Sequence, residues 1–283
     1  MKKNFKKHKK MWVLIGGALF IAAVVWAAAE LSGQADAMAQ DAGSNSFDLE
    51  LTTYETLKKP KSAPDCDWTK DKELREKIDA NDTKYKELVE KAKGELKDSG
   101  KVSDDTGKGI LDLAAEYKSL QDEYSEMWKA CKCKTRSNVA KELGNTRVKS
   151  AEVVVSNIDE KKLKEMTKAQ EKLKKARKEY VKQAQADDEI SDADKKDVQA
   201  NIIPKVNNMI PVFAAFVENV TGLLNEAQQT AQKSTNEGGI FGALKAVKEG
   251  PKLLKNVKAL LTVAKGMLTN VKDLLADAKT LAK

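Results

Sequence analysis

The residues able to carry chemistry in this chain are few. Among 283 residues there is one histidine, His8, and there are three cysteines, Cys66, Cys131 and Cys133. His8 sits in a lysine-rich head, so the remainder has no imidazole. That excludes, for a single chain, hydrolysis through a histidine base, an HExxH metal site and histidine-ligated haem. Three thiols are one short of a structural zinc set, and outside the cytoplasm they suit a disulfide with one thiol left over. Gly107-Lys108-Gly109 has neither the glycine spacing nor the Ser or Thr after the lysine that a phosphate loop requires, and it reads as a turn. Asp187-Asp188-Glu189 with Asp192, Asp194 and Asp197 lacks the glycine and terminal glutamate of an EF-hand loop. Ser191 followed by Asp194 reads as a helix cap instead. The other carboxylates lie on periodic charged faces, which are solvated by default. The expectation is therefore no enzyme, no cofactor, no metal site and no small-molecule substrate.

Composition narrows the architecture. With 33% charged residues, 5% aromatic residues and only five prolines, the chain reads as helix-rich with slender cores. The net charge of +8 is local. Lys2, Lys3, Lys6, Lys7, Lys9 and Lys10 crowd the first ten residues, and residues 240–283 carry nine lysines against three acids. No basic patch interleaved with aromatics is visible, so a nucleic-acid partner is not expected.

The elements follow in order. Met11 to Ala29 is an uncharged run of nineteen residues, long enough to span a bilayer as a helix. The lysines before it and Glu30, Asp36, Asp41 and Asp48 after it orient the bulk of the chain outward. Two small-residue sites, Ala27-Ala28-Ala29 and Ala37-Met38-Ala39, suit signal cleavage, while the length of the run and its flanking Trp12 and Trp26 suit a retained anchor. Residues 1–39 are thus a signal peptide or signal-anchor, with membrane contact through 11–29 if uncleaved. The location is extracytoplasmic: periplasmic, cell-surface or secreted. Residues 40–68, rich in Gly, Ser, Asp and Ala and carrying Pro60 and Pro64, read as a flexible linker.

From Thr69 an apolar three-four spacing runs through Leu74, Ile78, Tyr85, Leu88, Ala92 and Leu96 to a stop at Gly100. A second helix carries Ile110, Leu113, Tyr117, Leu120, Tyr124, Met127 and Cys131. Residues 69–134 form an antiparallel hairpin. Counted from a turn near Lys101, Cys66 lies thirty-five residues upstream and Cys133 thirty-two downstream. Equal rise brings those ends level, so a disulfide joins Cys66 to Cys133, with Cys131 as the alternative.

Residues 135–233 are a helical region with a narrow-striped helix from Leu163 to Ala184 and, at 194–230, the most buried helix, which Pro204 and Pro211 should kink or split. A loop is expected at Ser234–Gly239, and an interruption at Gly250-Pro251. The last region, 240–283, ends in the heptads PKLLKNV, KALLTVA, KGMLTNV and KDLLADA. Leu254, Val257, Leu261, Ala264, Leu268, Val271 and Leu275 form an interaction stripe on it, beside a row of Lys258, Lys265, Lys272 and Lys279.

The fold class expected is all-α, an extended bundle of long amphipathic helices behind the N-terminal segment. The function expected is a structural or protein-interaction role at the cell envelope, through self-association or a partner on helical faces. The alternative is a membrane-active, lipid-binding or pore-forming protein acting through the basic C-terminal helix.

Overall fold

The computed structural model describes the backbone of residues 2–57, 66–186, 190–237 and 240–283, and the side chains of all of these except 2–28, 231, 233–237 and 240–249. The chain is all-helical, with no strand among the described residues. The helices are α1 (Lys2–Leu57), α2 (Trp68–Ser99), α3 (Asp104–Ala130), α4 (Lys134–Val154) and α5 (Glu160–Ala186). A continuous path of α6 (Asp192–Asp197), a π-helical turn (Val198–Ile202) and α7 (Ile203–Glu237) follows, and α8 (Ile240–Leu281) closes the chain.

Local chemistry sets several of these ends. The Asp67 carboxylate accepts from Lys70 N at the start of α2. Gly100 closes α2 at φ 72, a left-handed position that costs glycine nothing. Ser103 caps α3 by accepting from Thr106 N, and Ser191 caps α6 by accepting from Asp194 N. The acids at 187–189 and the prolines at 60 and 64 lie outside the described residues.

Side-chain contacts give the helix directions. Asn81 Nδ2 donates to Leu113 O, and Tyr124 OH donates to Asp71, so α2 and α3 are antiparallel. Ser125 meets Ser137 and Gly144 faces Lys118, so α3 and α4 are antiparallel. Arg136 reaches Tyr180 while Lys149 reaches Glu165, so α4 and α5 are antiparallel as well. Helices α5 and α8 run in one direction, joined by Lys255–Glu160 at one end and Arg177–Asp277 towards the other. Helix α1 touches α2, α4, α5, α7 and α8.

That central place of α1 corrects the reading of residues 40–68 as a linker. As far as Leu57 they are helix, with Gln40, Ala42, Ser44, Ser46, Phe47, Leu49, Glu50, Thr52 and Thr53 buried. A helix covered on most sides need not alternate apolar with polar. Its threonines tolerate burial because their hydroxyls bond locally: Thr52 to Asp48 O, Thr53 to Leu49 O and Thr56 to Thr52 O. At Gly43 an added Cβ would stand 2.5 Å from Val154 Cγ2 and 3.0 Å from Ser150 O, so glycine is what permits α1 to approach α4.

The region 194–230 is not the most buried helix. Val206, Phe213, Phe216, Val220, Leu223 and Ala227 form one buried face, while Val212 is 57% exposed and Pro211 and Ala215 are exposed too. Its mostly uncharged circumference hid which face is covered. Pro211 lies within α7 without splitting it, and Pro204 stands at the first turn after the π-helical segment, where a missing N–H is tolerated. The expected loop at Ser234–Gly239 is helical as far as Glu237, and the interruption at Gly250-Pro251 is absent, because α8 runs through Pro251.

Candidate functional site

The densest concentration of interior chemistry lies where α1, α2, α3, α4 and α5 meet. Three of these helices each contribute two residues one turn apart, which puts both on one face. Helix α1 supplies Ser46 and Glu50, α2 supplies Asp82 and Tyr85, and α4 supplies Arg147 and Ser150. Tyr117 comes from α3 and Gln170 from α5. Arg147 is 0% exposed. Its Nε donates to Glu50 Oε2 at 3.1 Å and its Nη2 to Asp82 Oδ1 at 2.7 Å. The guanidinium lies 3.8 Å from the Tyr117 ring centroid, 4.4 Å from that of Phe47 and 4.6 Å from that of Tyr85. Glu50 Oε1 accepts from Ser46 Oγ at 2.9 Å and Ser150 Oγ at 2.5 Å, and Gln170 Nε2 donates to Ser46 Oγ at 2.8 Å.

One cation thus faces two buried carboxylates. Burial pushes the Glu50 carboxyl above its ordinary value, opposed by Arg147, Ser150 and Ser46. Burial likewise pushes Asp82 up, opposed by Arg147. Asp82 Oδ2 and Arg147 Nη1 have no hydrogen-bond partner among the described residues. A guanidinium cannot give up its proton in this setting, so the carboxyls absorb the imbalance. Chemically the cluster holds charge in place and ties helices together.

A second buried arginine, Arg177 on α5, donates through Nε to Asp277 at 2.6 Å and through Nη1 to Asn270 at 2.9 Å on α8. Burial pulls it below the ordinary arginine value. A cavity of about 20 Å³ is lined by Tyr54, Gln121, Tyr124, Trp128, Arg136 and Tyr180 among others. That volume suits a single water molecule.

The cysteines correct one expectation. Cys66 stands at disulfide distance from Cys131, with Cα atoms 5.0 Å apart, and Cys133 lies outside the pair. Counting rise alone could not distinguish two cysteines two residues apart. What decides is that Cys131 ends α3 on its buried side, whereas the chain then turns through Lys132 at φ 64 and Cys133 becomes the residue before α4. The Cys133 thiol reaches back to Cys131 O at 3.6 Å.

The stripe on α8 also lies differently from its expected register. Val257, Ala264 and Val271 are fully buried, but Leu254, Leu261, Leu268 and Leu275 are only half-buried. The centre of the buried face is Val257, Leu260, Ala264, Met267, Val271, Leu274 and Ala278, packed with the core faces of α1 and α7. In the pairs 260/261, 267/268 and 274/275 the first residue is buried and the second half-buried, while Leu253 and Leu254 are both half-buried. Lys258, Lys265, Lys272 and Lys279 are exposed on the opposite side.

Sequence reasoning missed the Arg147 cluster. A lone arginine among charged helices carries no local mark, although Phe47 and Tyr85 on separate helices were available as partners. Among the described residues no group of three or more His, Cys, Asp or Glu is placed to hold a metal ion. None of their helices is long and apolar enough to cross a membrane. The expected span at 11–29 has its side chains, apart from Ala29, outside the described set. Compared with protein-family models, curated proteins and solved structures, the chain matches none.

Proposed function

We propose that this chain is a non-enzymatic, extracytoplasmic helical bundle with a structural or protein-interaction role at the cell envelope, held at the membrane by a retained N-terminal helix. The observation that carries the reading is the burial of Leu31, Ala35 and Ala39, at 6%, 0% and 1% exposure, in the same core as Val206, Val220, Leu260 and Val271. These three residues sit on α1 just after the apolar run Met11–Ala29. Cleavage before Gln40 would remove them and expose the apolar face that α7 and α8 turn towards α1, which soluble proteins avoid. The disulfide pair Cys66–Cys131 supports an oxidising compartment.

Because the α8 stripe is engaged within the chain, partner contact falls on exposed faces such as the lysine row of α8. A lipid-binding role for residues 251–281 would require α8 to leave its core position, so the structural reading is preferred. The deciding measurement is the first residue of the mature protein by mass spectrometry. An uncleaved N-terminal segment is the expected result. A chain starting at Gln40 overturns the anchor and the assignment of residues 31–39 to the core, and a start at Glu30 overturns the anchor alone.

A further inference from the structure

Positive charge in this chain gathers on two neighbouring helices. Helix α5 and residues 251–283 of α8 carry seventeen lysines and arginines against six acids, a net of +11, whereas the whole chain is +8. On α2 and α3, by contrast, Lys72, Lys91, Lys93, Lys118 and Lys129 each pair with an acid three or four residues away on the same helix. Along α5 and α8 the acids are drawn into the seam between the helices. Lys174 and Lys178 share Asp273, Arg177 meets Asp277, and Lys164 and Lys255 share Glu160. Outside the seam, Lys161, Lys168, Lys175 and Lys182 recur every seven residues on α5, as Lys258, Lys265, Lys272 and Lys279 do on α8. All eight are exposed, and none takes part in an ion pair with a described residue. Seven residues are nearly two turns, so each row keeps to one face, with steps of about 10.5 Å over a length of about 32 Å.

The two rows are in register. Hydrogen bonds across the seam join Arg177 to Asn270, Gln185 to Thr280 and Arg177 to Asp277, residues 93, 95 and 100 positions apart. Lys161 and Lys258 are 97 positions apart, as are the next three pairs, so the lysines stand level in four rungs. At about 100° per residue, each row lies about 100° round its helix from the seam contacts and about 140 to 160° from the centre of the buried face. The sense of that rotation is opposite on the two helices, so both rows face outward on the same side. Between them Thr262, Gly266, Thr269 and Ala276 of α8 are exposed and small. The exposed acids of this face, Glu171 and Glu179, are outnumbered by the lysines around them.

The surroundings of the rungs narrow what fits them. Protein interfaces are anchored by aromatic and apolar side chains, and the large hydrophobics exposed among the described residues, Trp68, Leu111 and Val212, all lie on other helices. A bilayer surface runs the wrong way. Ile158 N donates to Asp36 of α1 and Ile158 O accepts from Asn256 of α8, while Leu281 packs in one cluster with Tyr54 and Leu57. Helix α8 thus follows α1 in the same direction, and with α1 as anchor the rows stand along the bilayer normal rather than flat on its surface. A long polymer charged along its backbone suits two parallel rows. No aromatic stands among them on which a base could stack. None of the eight positions is arginine, whose fork matches planar carboxylates; lysine meets phosphate as a point charge from any side.

We propose that the lysine ladder of α5 and α8 binds a linear polyanion with phosphates in its backbone and no bases, laid along the two helices. This names the partner for the interaction role proposed above and rests on that reading. The full chain, in neutral detergent, is titrated with end-labelled inorganic polyphosphate and followed by fluorescence anisotropy between about 50 and 200 mM salt. One variant carries Lys168→Gln, Lys175→Gln, Lys265→Gln and Lys272→Gln. A control loses the same charge elsewhere, through Lys77→Gln, Lys84→Gln, Lys97→Gln and Lys108→Gln on α2, α3 and no part of the ladder. The N-terminal lysines stay in every chain, so their contribution cancels, and circular dichroism melts confirm that both variants fold. The expected result is binding that weakens steeply with salt, lost at least about tenfold in the ladder variant, whose salt slope is shallower by about 3, while the control binds as the unaltered chain does. Equal losses in both variants, or none in the ladder variant, overturn the proposal. Tighter ladder-dependent binding of poly-glutamate at equal charge overturns the phosphate polymer and leaves the protein-interaction role standing; tighter binding of phosphatidylcholine–phosphatidylglycerol vesicles overturns it in favour of a lipid surface. Binding of none of the three overturns the ladder alone, because the anchored reading is decided separately by the first residue of the mature chain.

Discussion

Arg147→Met is the substitution that most directly probes the interior of this protein. Methionine roughly fills the volume of the arginine side chain but removes its charge, leaving Glu50 and Asp82 buried with no cation between them. Removing one partner of a buried ion pair costs about 3–5 kcal/mol. Loss of the packing between the guanidinium and the rings of Phe47, Tyr85 and Tyr117 adds about 1–2 kcal/mol. A domain is typically stable by only about 5–15 kcal/mol, so the variant should be marginal at neutral pH. The sign of its pH dependence follows from Glu50 and Asp82, both already raised by burial. A carboxyl whose folded value lies above its unfolded value binds more protons when folded, so its contribution to stability falls as pH rises from the ordinary carboxylate range through the raised value. Without Arg147 to oppose burial, both groups rise further, and the variant should recover part of its loss on acidification. Adding Glu50→Gln and Asp82→Asn should restore much of the stability at neutral pH, because no uncompensated charge remains. Urea unfolding followed by circular dichroism, at neutral and mildly acid pH, measures all three chains. A loss below about 1 kcal/mol at neutral pH, of the size of an exposed ion pair, would refute the buried-charge account.

Three further outcomes test the packing. Replacing Cys66 and Cys131 by serine opens a loop spanning 65 residues and should cost about 4 kcal/mol by the chain-entropy model, read as a drop in urea midpoint, while Cys133→Ser should change little. Leu260→Ala, at a fully buried position, should cost about 2–5 kcal/mol, and Leu261→Ala, half-buried beside it, clearly less; equal losses would contradict the register of α8. Gly43→Ala should destabilise by about 1–3 kcal/mol because its methyl meets Val154 and the Ser150 carbonyl. Gly33→Ala on the same helix meets nothing within 4 Å and should stabilise by up to about 1 kcal/mol; paired thermal melts compare them.

The all-helical character was legible wherever a helix has one solvated side. Leu74, Ile78, Tyr85 and Ala92 on α2, or Leu163, Met166, Leu173 and Tyr180 on α5, are buried while charged residues occupy the other face, and such a division leaves a period in the sequence. Caps such as Ser103 and Gly100 act within a few residues, so their meaning is local. The cysteine pairing was narrowed by helix rise to two neighbours, and the turn at Lys132 that separates them is a backbone feature no spacing rule supplies.

What sequence could not show is the reason α1 occupies the centre. Its buried stretch is made of residues that ordinarily mark loops: Gln40, Gly43, Ser44, Ser46, Thr52 and Thr53. Small residues let α4 come close, as at Gly43, and the serines then serve a charge brought from elsewhere, Ser46 on α1 and Ser150 on α4 both donating to Glu50. Glu50 in turn is tolerable only because Arg147 reaches it from a helix 97 residues away in sequence. Each of these polar residues is unfavourable alone in a core and acceptable once the others arrive. Burial of α1 therefore depends on α2, α4 and α5 being assembled around it, a condition that no window of its own sequence contains.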